Sequence, residues 1–272
     1  MTGVQTCALP IWDLKEGDVV FDELGAQCSV VAATPVMTGR KCYEVIFADG
    51  EKIVADADHE WITFTRKPEN GHRLWTTEEI AKTIVTGYAG TQGSNHSIPV
   101  SGPLVTAPAE LPIDPYVLGA WLGDGESRAA RFTCSYSDIG IIEEIRKCGV
   151  TVDERVSSGT NCGLFILGSS GRRNCRVTSL QTKLRRLGVL KNKHIPPQYL
   201  RGSIDQRIAL LQGLMDTDGF VSPRGQCEFT TTLVSLRDQS MELIRSLGLK
   251  PTLKTARATI YGRDCGEKYR IQ

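Results

Sequence analysis

Apolar and polar positions follow two different rhythms along this chain. Through residues 13–66 they alternate in short β-rich runs, broken by turn signals at Gly17-Asp18, Gly25, Gly39 and Asp49-Gly50. The runs CYEVIF (42–47) and KIVA (52–55), separated by Ala48-Asp49-Gly50, predict a hairpin within an all-β segment. Residues 67–107 are looser, with a short helix expected over 76–85, then a Gly/Ser/Asn-rich stretch and a short strand at 97–100. This stretch reads as a connector. From Leu111 the apolar spacing becomes helical, and the pattern then repeats. The first copy opens on LPIDPYVLGAWLGDG (111–125), passes through RFTCSY (131–136) and a helix over 139–149, and ends in β-like runs at 150–156 and 163–167. The second opens on IALLQGLMDTDG (208–219), passes through CEFTTT (227–232) and a helix over 236–248, and ends in β-like runs at 251–260 and 267–271.

Both copies read as αββ-type in the same order, so the fold class is α+β, with a β-rich N-terminal region before a pseudo-two-fold αββαββ duplication. In each copy an apolar helix ends in Asp-Gly, and a later helix closes on a glycine suited to a C-cap. A basic helix over 179–187 and the segment LKNKHIPPQYL (190–200) lie between the copies.

Composition adds limits to this picture. The 272 residues, 40% of them hydrophobic, can bury the cores of two ordinary domains. No run approaches the roughly 18 apolar residues a membrane helix needs, and no signal-peptide pattern opens the chain, so an intracellular, cytoplasmic protein is expected. Nine cysteines without a C-x-x-C pair, and only 4 histidines, suggest buried free thiols rather than a zinc site or a disulfide framework. The net charge of +1 hides an asymmetry: residues 171–272 hold 19 Lys and Arg against 8 Asp and Glu, leaving 13 basic and 23 acidic residues before them. A folded surface with a balance of +11 points to the phosphate backbone as partner.

The apolar helices carry small residues where a partner helix can approach: Gly119, Ala120 and Gly123 in the first, Gly213 in the second. Packing there would set Asp124 and Asp218 side by side, the paired oxygen ligands that a metal-dependent phosphodiester hydrolase requires. One Asp-Gly after a helix is an ordinary turn; two inside a repeat carry more weight. LGAWLGDGE (118–126) and LQGLMDTDG (211–219) resemble the paired signature of LAGLIDADG (DOD-type) homing endonucleases, and KHIPPQYL (193–200) resembles the basic segment between the signatures in intein-borne members. The resemblance spans residues 108–272. It implies an endonuclease that makes site-specific double-strand breaks in DNA with Mg2+, acting as a monomer because both motifs share one chain.

By that resemblance Asp124 and Asp218 are metal ligands and Lys193 is the catalytic lysine, with Lys191 as the fallback. A second lysine is left open between Lys254 and Lys268. Asp216 stands two residues before Asp218, a spacing that turns it to another side of the helix, and is read as structural or as an outer partner. Lys268 and Arg270 alternate along a strand and would enter the major groove from one sheet face. Arg257, Arg263, Arg185 and Arg186 are expected to contact phosphates. Retaining the scaffold as a nucleic-acid-binding maturase or regulator without cleavage is the alternative, and the acids and lysine argue against it.

In the N-terminal region, DLKEGDVVFDE (13–23) and IVADADHEWIT (53–63) resemble the strand after the first splicing motif and the second splicing motif of inteins. His59 would then assist the N-to-S acyl shift as a general acid/base, and Asp56 stands where the family commonly has Thr. A hedgehog-like autoprocessing protein is the less favoured relative, given the endonuclease insertion. MTGVQTCALPI resembles a translated adapter read-through, so residues 1–12 are expected to be a non-native leader. Residues 13–107 are then a partial Hint-type splicing domain with its connector, and 108–272 the endonuclease. Cys7 lies only six residues before Asp13, too close for the splicing nucleophile, and the sequence ends at Ile271-Gln272 before any His-Asn pair. Splicing is expected to fail.

Overall fold

The structure, a computed structural model, describes residues 11–66, 72–86, 93–156, 161–168 and 179–272. Most of the expected leader thus lies outside the described residues. Two compact units emerge, one containing Val19–Cys28 and Gly102–Gln272, the other Ile11–Asp18 and Ser29–Ser101. Residues 19–28 and 102–107, expected with the splicing-type segment, group with the larger unit.

After a short 3-10 turn at Ile11–Asp13, β1 (Val19–Phe21) and β2 (Gln27–Ser29) form a two-stranded sheet. In the smaller unit β3 (Cys42–Ile46) pairs antiparallel with β4 (Lys52–Asp56), Val45 opposite Ile53, around a turn whose Gly50 has φ +89°. Only glycine adopts that angle at little cost. Then follow β5 (Glu60–Thr65), β6 (His72–Thr76), α1 (Thr77–Thr83), β7 (Val85–Thr86), β8 (Gly93–Ser94) and β9 (His96–Ser97). The strand expected at 97–100 therefore starts earlier and stops at Ser97. A capping box between Thr76 and Glu79 starts α1. The sheet order is β6-β5-β9, and alternation buries Thr63 and Trp75 on one face while Ile62, Phe64 and Leu74 stay exposed on the other.

The larger unit is organised by two helices, α2 (Pro115–Asp124) and, later, α6 (Ile204–Asp218). Asp114 caps α2 through the Tyr116 and Val117 amides, and every residue from Pro115 to Leu122 is buried. A helix apolar all round must be central. Between the two come β10 (Arg131–Ser135), α3 (Gly140–Lys147), β11 (Val152–Val156), β12 (Cys162–Leu167), α4 (Leu180–Arg186) and α5 (Pro197–Leu200). After α6 come β13 (Gly219–Val221), β14 (Cys227–Thr231), α7 (Val234–Ser246), β15 (Leu253–Ile260) and β16 (Arg263–Ile271). The second run follows α-β-β-α-β-β; in the first, a lone bridge between Gly125 and Phe132 stands where the second has β13. The strand orders are β10-β12-β11 and β13-β14-β16-β15.

Inward positions of both sheets, Phe132, Phe165, Phe229 and Ile271, share one core with Ile142 and Ile145 of α3 and Leu236 and Leu243 of α7. An arginine also belongs to this interior. Arg207 is fully buried and meets no carboxylate among the described residues, donating to the carbonyls of Gly202, Leu104 and Ser246 and to Ser246 Oγ. Its hydrogen bonds offset the cost of burying the charge, and they pin residue 104 to α6 and the end of α7.

The thiols depart from expectation. Cys134 is buried and Cys148 half-buried, but Cys28, Cys42, Cys162, Cys227 and Cys265 are exposed: alternation turns Cys42 and Cys162 outward, whereas Cys227 and Cys265 share a face with buried residues but stand where β14 and β16 run beyond the core. No helix among the described residues is long and apolar enough to cross a membrane.

Candidate active site

The approach of α2 to α6 depends on the small residues singled out in the sequence. A Cβ on Gly119 would overlap the Leu210 carbonyl oxygen, one on Gly213 the Tyr116 carbonyl, and one on Gly123 the Thr217 side chain. Backbone therefore meets backbone along the crossing. The helices end together, α2 at Asp124 and α6 at Asp218, each followed by an extended glycine whose N–H bonds back into the last turn, Gly125 to Trp121 O and Gly219 to Met215 O. A side chain at either glycine would strike that same turn, Trp121 at Gly125 and Met215 at Gly219.

Both carboxyls open to solvent on one side and are crowded on the other. Crowding by protein pushes the Asp218 carboxyl up to about 6, with the neighbouring Asp124 charge adding to the rise and Lys193 opposing it. Asp124 is raised for the same leading reason, with Lys193 pulling down and Asp138 pushing up. Lys193 completes the group: desolvation lowers its pKa while Asp218 and Asp124 raise it. Its Nζ donates to Gly123 O at 2.5 Å and lies 5.6 Å from the centre of the Trp121 ring. Three of the sequence candidates are thus brought together at one place.

Beside them opens a pocket of about 410 Å³ whose lining includes Gly123, Lys193, Asp218, Thr230, Thr231 and Lys268. Of the two lysines left open, Lys268 reaches this pocket, while Lys254 donates to Gln272 Oε1 at 2.8 Å. Lys191 is exposed, in a left-handed turn at φ +59°, with its N–H on Ser127 O. Arg185 and Arg186 are exposed on the last turn of α4. Asp216 accepts from the Tyr116 hydroxyl at 2.8 Å, a bond between α6 and α2.

The remaining basic candidates divide. Arg263 is exposed at the start of β16. Arg257 pairs with Asp264, and its register opposite Glu267 puts it on the other sheet face from Lys268 and Arg270. Arg270 is held by Glu228 through two bonds of 2.6 Å. Glu228 has no sequence signal beyond its alternation in CEFTTT, and the reading missed it.

In the smaller unit His59 is exposed, edge-on to Trp61 with ring centres 4.9 Å apart, and its carbonyl accepts from the Thr77 amide. Asp56 is clamped by Arg40, at 2.6 Å to Nε, and bonds the Asp58 amide. A second histidine went unnoticed: His96 bridges the hydroxyls of Thr63 and Thr83 at 2.8 and 2.9 Å, and desolvation and then Arg73 lower its pKa.

Paired acids on crossing helices thus stand beside a half-buried lysine, and the comparisons with known proteins bear on what such a chain is similar to. Residues 194–272 match the family model of a homing endonuclease. The chain is 37% identical over 269 residues, 93% of its length, to a replicative DNA helicase DnaB of Mycobacterium intracellulare, and 53% identical over 51 residues, 19% of its length, to that of Mycobacterium leprae. It spans 42% and 8% of those two proteins respectively. Solved structures of the homing endonuclease I-DmoI, among them complexes with DNA and Ca or Mn, align at TM-score 0.37 and 13% identity over 59% of this chain and 83% and 89% of those chains. The family match thus makes residues 194–272 similar to a homing endonuclease, and the chain spans less than half the length of either DnaB relative.

Proposed function

We propose that the larger unit is a site-specific endonuclease that makes double-strand breaks in DNA by magnesium-dependent phosphodiester hydrolysis. The observation that carries this reading is the convergence of Asp124, Asp218 and Lys193 at the ends of two helices packed backbone to backbone. Among the described residues no cluster of three or more His, Cys, Asp or Glu could hold a metal by itself. A two-carboxylate donor set suits magnesium, which keeps several waters and completes its shell on substrate phosphate. Bound there, it would supply Lewis-acid polarisation and a more acidic water.

The chain's own groups do the rest. Asp124 and Asp218 offer one oxygen donor from each helix and orient the scissile phosphates between the two halves. Lys193, fixed by Gly123 O, holds its proton where negative charge grows on the phosphorane and positions the attacking water. Burial disfavours both bare carboxylates, and a cation held between them would compensate that charge. Each half of the αββαββ duplication, related by a pseudo-two-fold, serves one strand, and a monomer suffices. Lys191, Arg185, Arg186 and Arg263 contact phosphates, and Lys268 and Arg270 face the groove. His59 we assign the acid/base role of an intein splicing site, with Trp61 holding its ring.

A randomised duplex library incubated with magnesium tests the proposal. Cut ends should accumulate at one family of sites and vanish with EDTA and in Asp124→Asn or Asp218→Asn. DNA retained without cutting would mean a binding protein built on this scaffold.

A further inference from the structure

Resting on the endonuclease reading, we infer that Arg270, braced by Glu228, is a specificity-determining residue that reads a guanine in the major groove. The side-on edge of the guanidinium is occupied: Nε meets Glu228 Oε1 and Nη2 meets Oε2, both at 2.6 Å. Glu228 is itself fixed, accepting from Gln272 Nε2 at 2.7 Å and from Thr230 Oγ1 at 3.4 Å, and its side chain is only 13% exposed against 41% for Arg270. The braced acid stays ionised, its pKa held down to about 2 chiefly by the Arg270 bonds. A planar fork gripped on its Nε edge presents the Nη1–Nη2 end outward, and two parallel N–H donors match the O6 and N7 acceptors of guanine.

Position agrees with chemistry. Arg270 stands between Thr230 of β14 and Lys254 of β15, on the face opposite buried Tyr269 and Ile271. Lys268, two residues along the same face, lines the pocket with Asp218. Two residues of strand span roughly 6.6 Å, so Arg270 stands about that far along the same face from Lys268, beside Thr230, which also lines the pocket. A phosphate contact would ask for a different arrangement: an exposed cation such as Arg185, which pairs with no carboxylate among the described residues, gains counterion release, whereas Arg270 already carries its counter-charge.

Binding selection from a randomised duplex library, with calcium in place of magnesium, tests the inference on the full chain. Wild type should enrich one G·C pair. Arg270→Ala and Arg270→Lys should each lose that preference by about 5- to 150-fold, the worth of one bidentate base contact, while other positions and the salt dependence stay as they were. Glu228→Gln should weaken the preference at that same position. The lysine variant keeps the charge, so its failure to discriminate reports geometry. Uniform weakening across sequences, with the salt slope falling by about one, would make Arg270 a phosphate contact and overturn the assignment. An unchanged guanine preference in both Arg270 variants would overturn it while leaving the endonuclease reading standing. No enrichment by wild type would remove both.

Discussion

The two sheets of the larger unit share a register and differ in what they show to solvent. In the first, Phe132 sits opposite Phe165; in the second, Phe229 sits opposite Ile271, and all four are buried. One position outward, Leu164 lies between Thr133 and Arg155, where the second sheet has Arg270 between Thr230 and Lys254. Along the middle strands the outward residues are Cys162, Leu164 and Ile166 in β12 but Lys268, Arg270 and Gln272 in and just beyond β16. Charge follows the same division. Residues 108–170 hold 5 basic and 9 acidic residues, 171–200 hold 8 basic and none acidic, and 201–272 hold 11 and 8. The core constrains the inward set in both sheets alike, and the outward sets are free to differ. The polycation read from the sequence is concentrated in the basic segment between the copies.

The seam of α2 and α6 should treat the halves as equals, and the largest effect tests that. Asp124→Asn and Asp218→Asn should each reduce double-strand cutting of a supercoiled plasmid by about 1,000-fold or more, several kcal/mol of lost transition-state stabilisation. Nicking that survives in one variant only would show that the two sites serve separate strands; full cutting in either would break the symmetry of the seam. Next in size is packing. Gly119→Val or Gly213→Val forces a branched side chain into the facing backbone and should cost about 3 kcal/mol or more by urea titration. Gly140→Ala on α3, which meets nothing within 4 Å, should be neutral or slightly stabilising.

Why the seam was legible and the brace was not has a physical reason. Small residues in an apolar helix ending in Asp-Gly carry a distance constraint in their type, so the convergence of Asp124 with Asp218 could be anticipated. The start of α6 is also written in the chain, as the Ser203–Gln206 capping box, whereas the apolar spacing alone starts the helix at Ile208, four residues too late. Glu228 and Arg207 are different. An acid in a half-buried strand and an arginine in an apolar helix read as surface, and only the register opposite Gln272 and the carbonyls of residues 104, 202 and 246 reveal their partners. Apart from the bond to Gly202, these contacts span 39 to 103 positions in sequence and leave no local signal.

The basic segment should dominate the grip on DNA. Arg185→Ala with Arg186→Ala should reduce the slope of log affinity against log salt by up to about 2 and weaken all sequences alike. Leu164→Ser, on the opposite sheet, should leave the slope untouched. Equal slopes for the two variants would mean that the charge excess lies away from the DNA.

The smallest effect asks what the poised seam costs the protein before a cation binds. The folded pKa of Asp218, about 6, lies above its ordinary 3.8 because protein crowds the carboxyl and Asp124 repels it. A group raised in this way favours the folded state at pH below its ordinary value, and that contribution is lost as pH rises through 6. At pH 8 with EDTA the ionised carboxyl is therefore a burden, and Asp218→Asn should melt at a higher temperature than wild type. The advantage should shrink toward pH 4.5, where the native acid takes up its proton, and adding magnesium at pH 8 should raise the melting temperature of wild type more than that of the variant. Asp216→Asn is the control. Its carboxylate takes the Tyr116 hydroxyl instead of facing Asp124, so its replacement should lower the melting temperature, and magnesium should still stabilise the variant as it does wild type. A melting difference between Asp218→Asn and wild type that ignores pH would place the strain of the seam in its packing rather than in the paired charges.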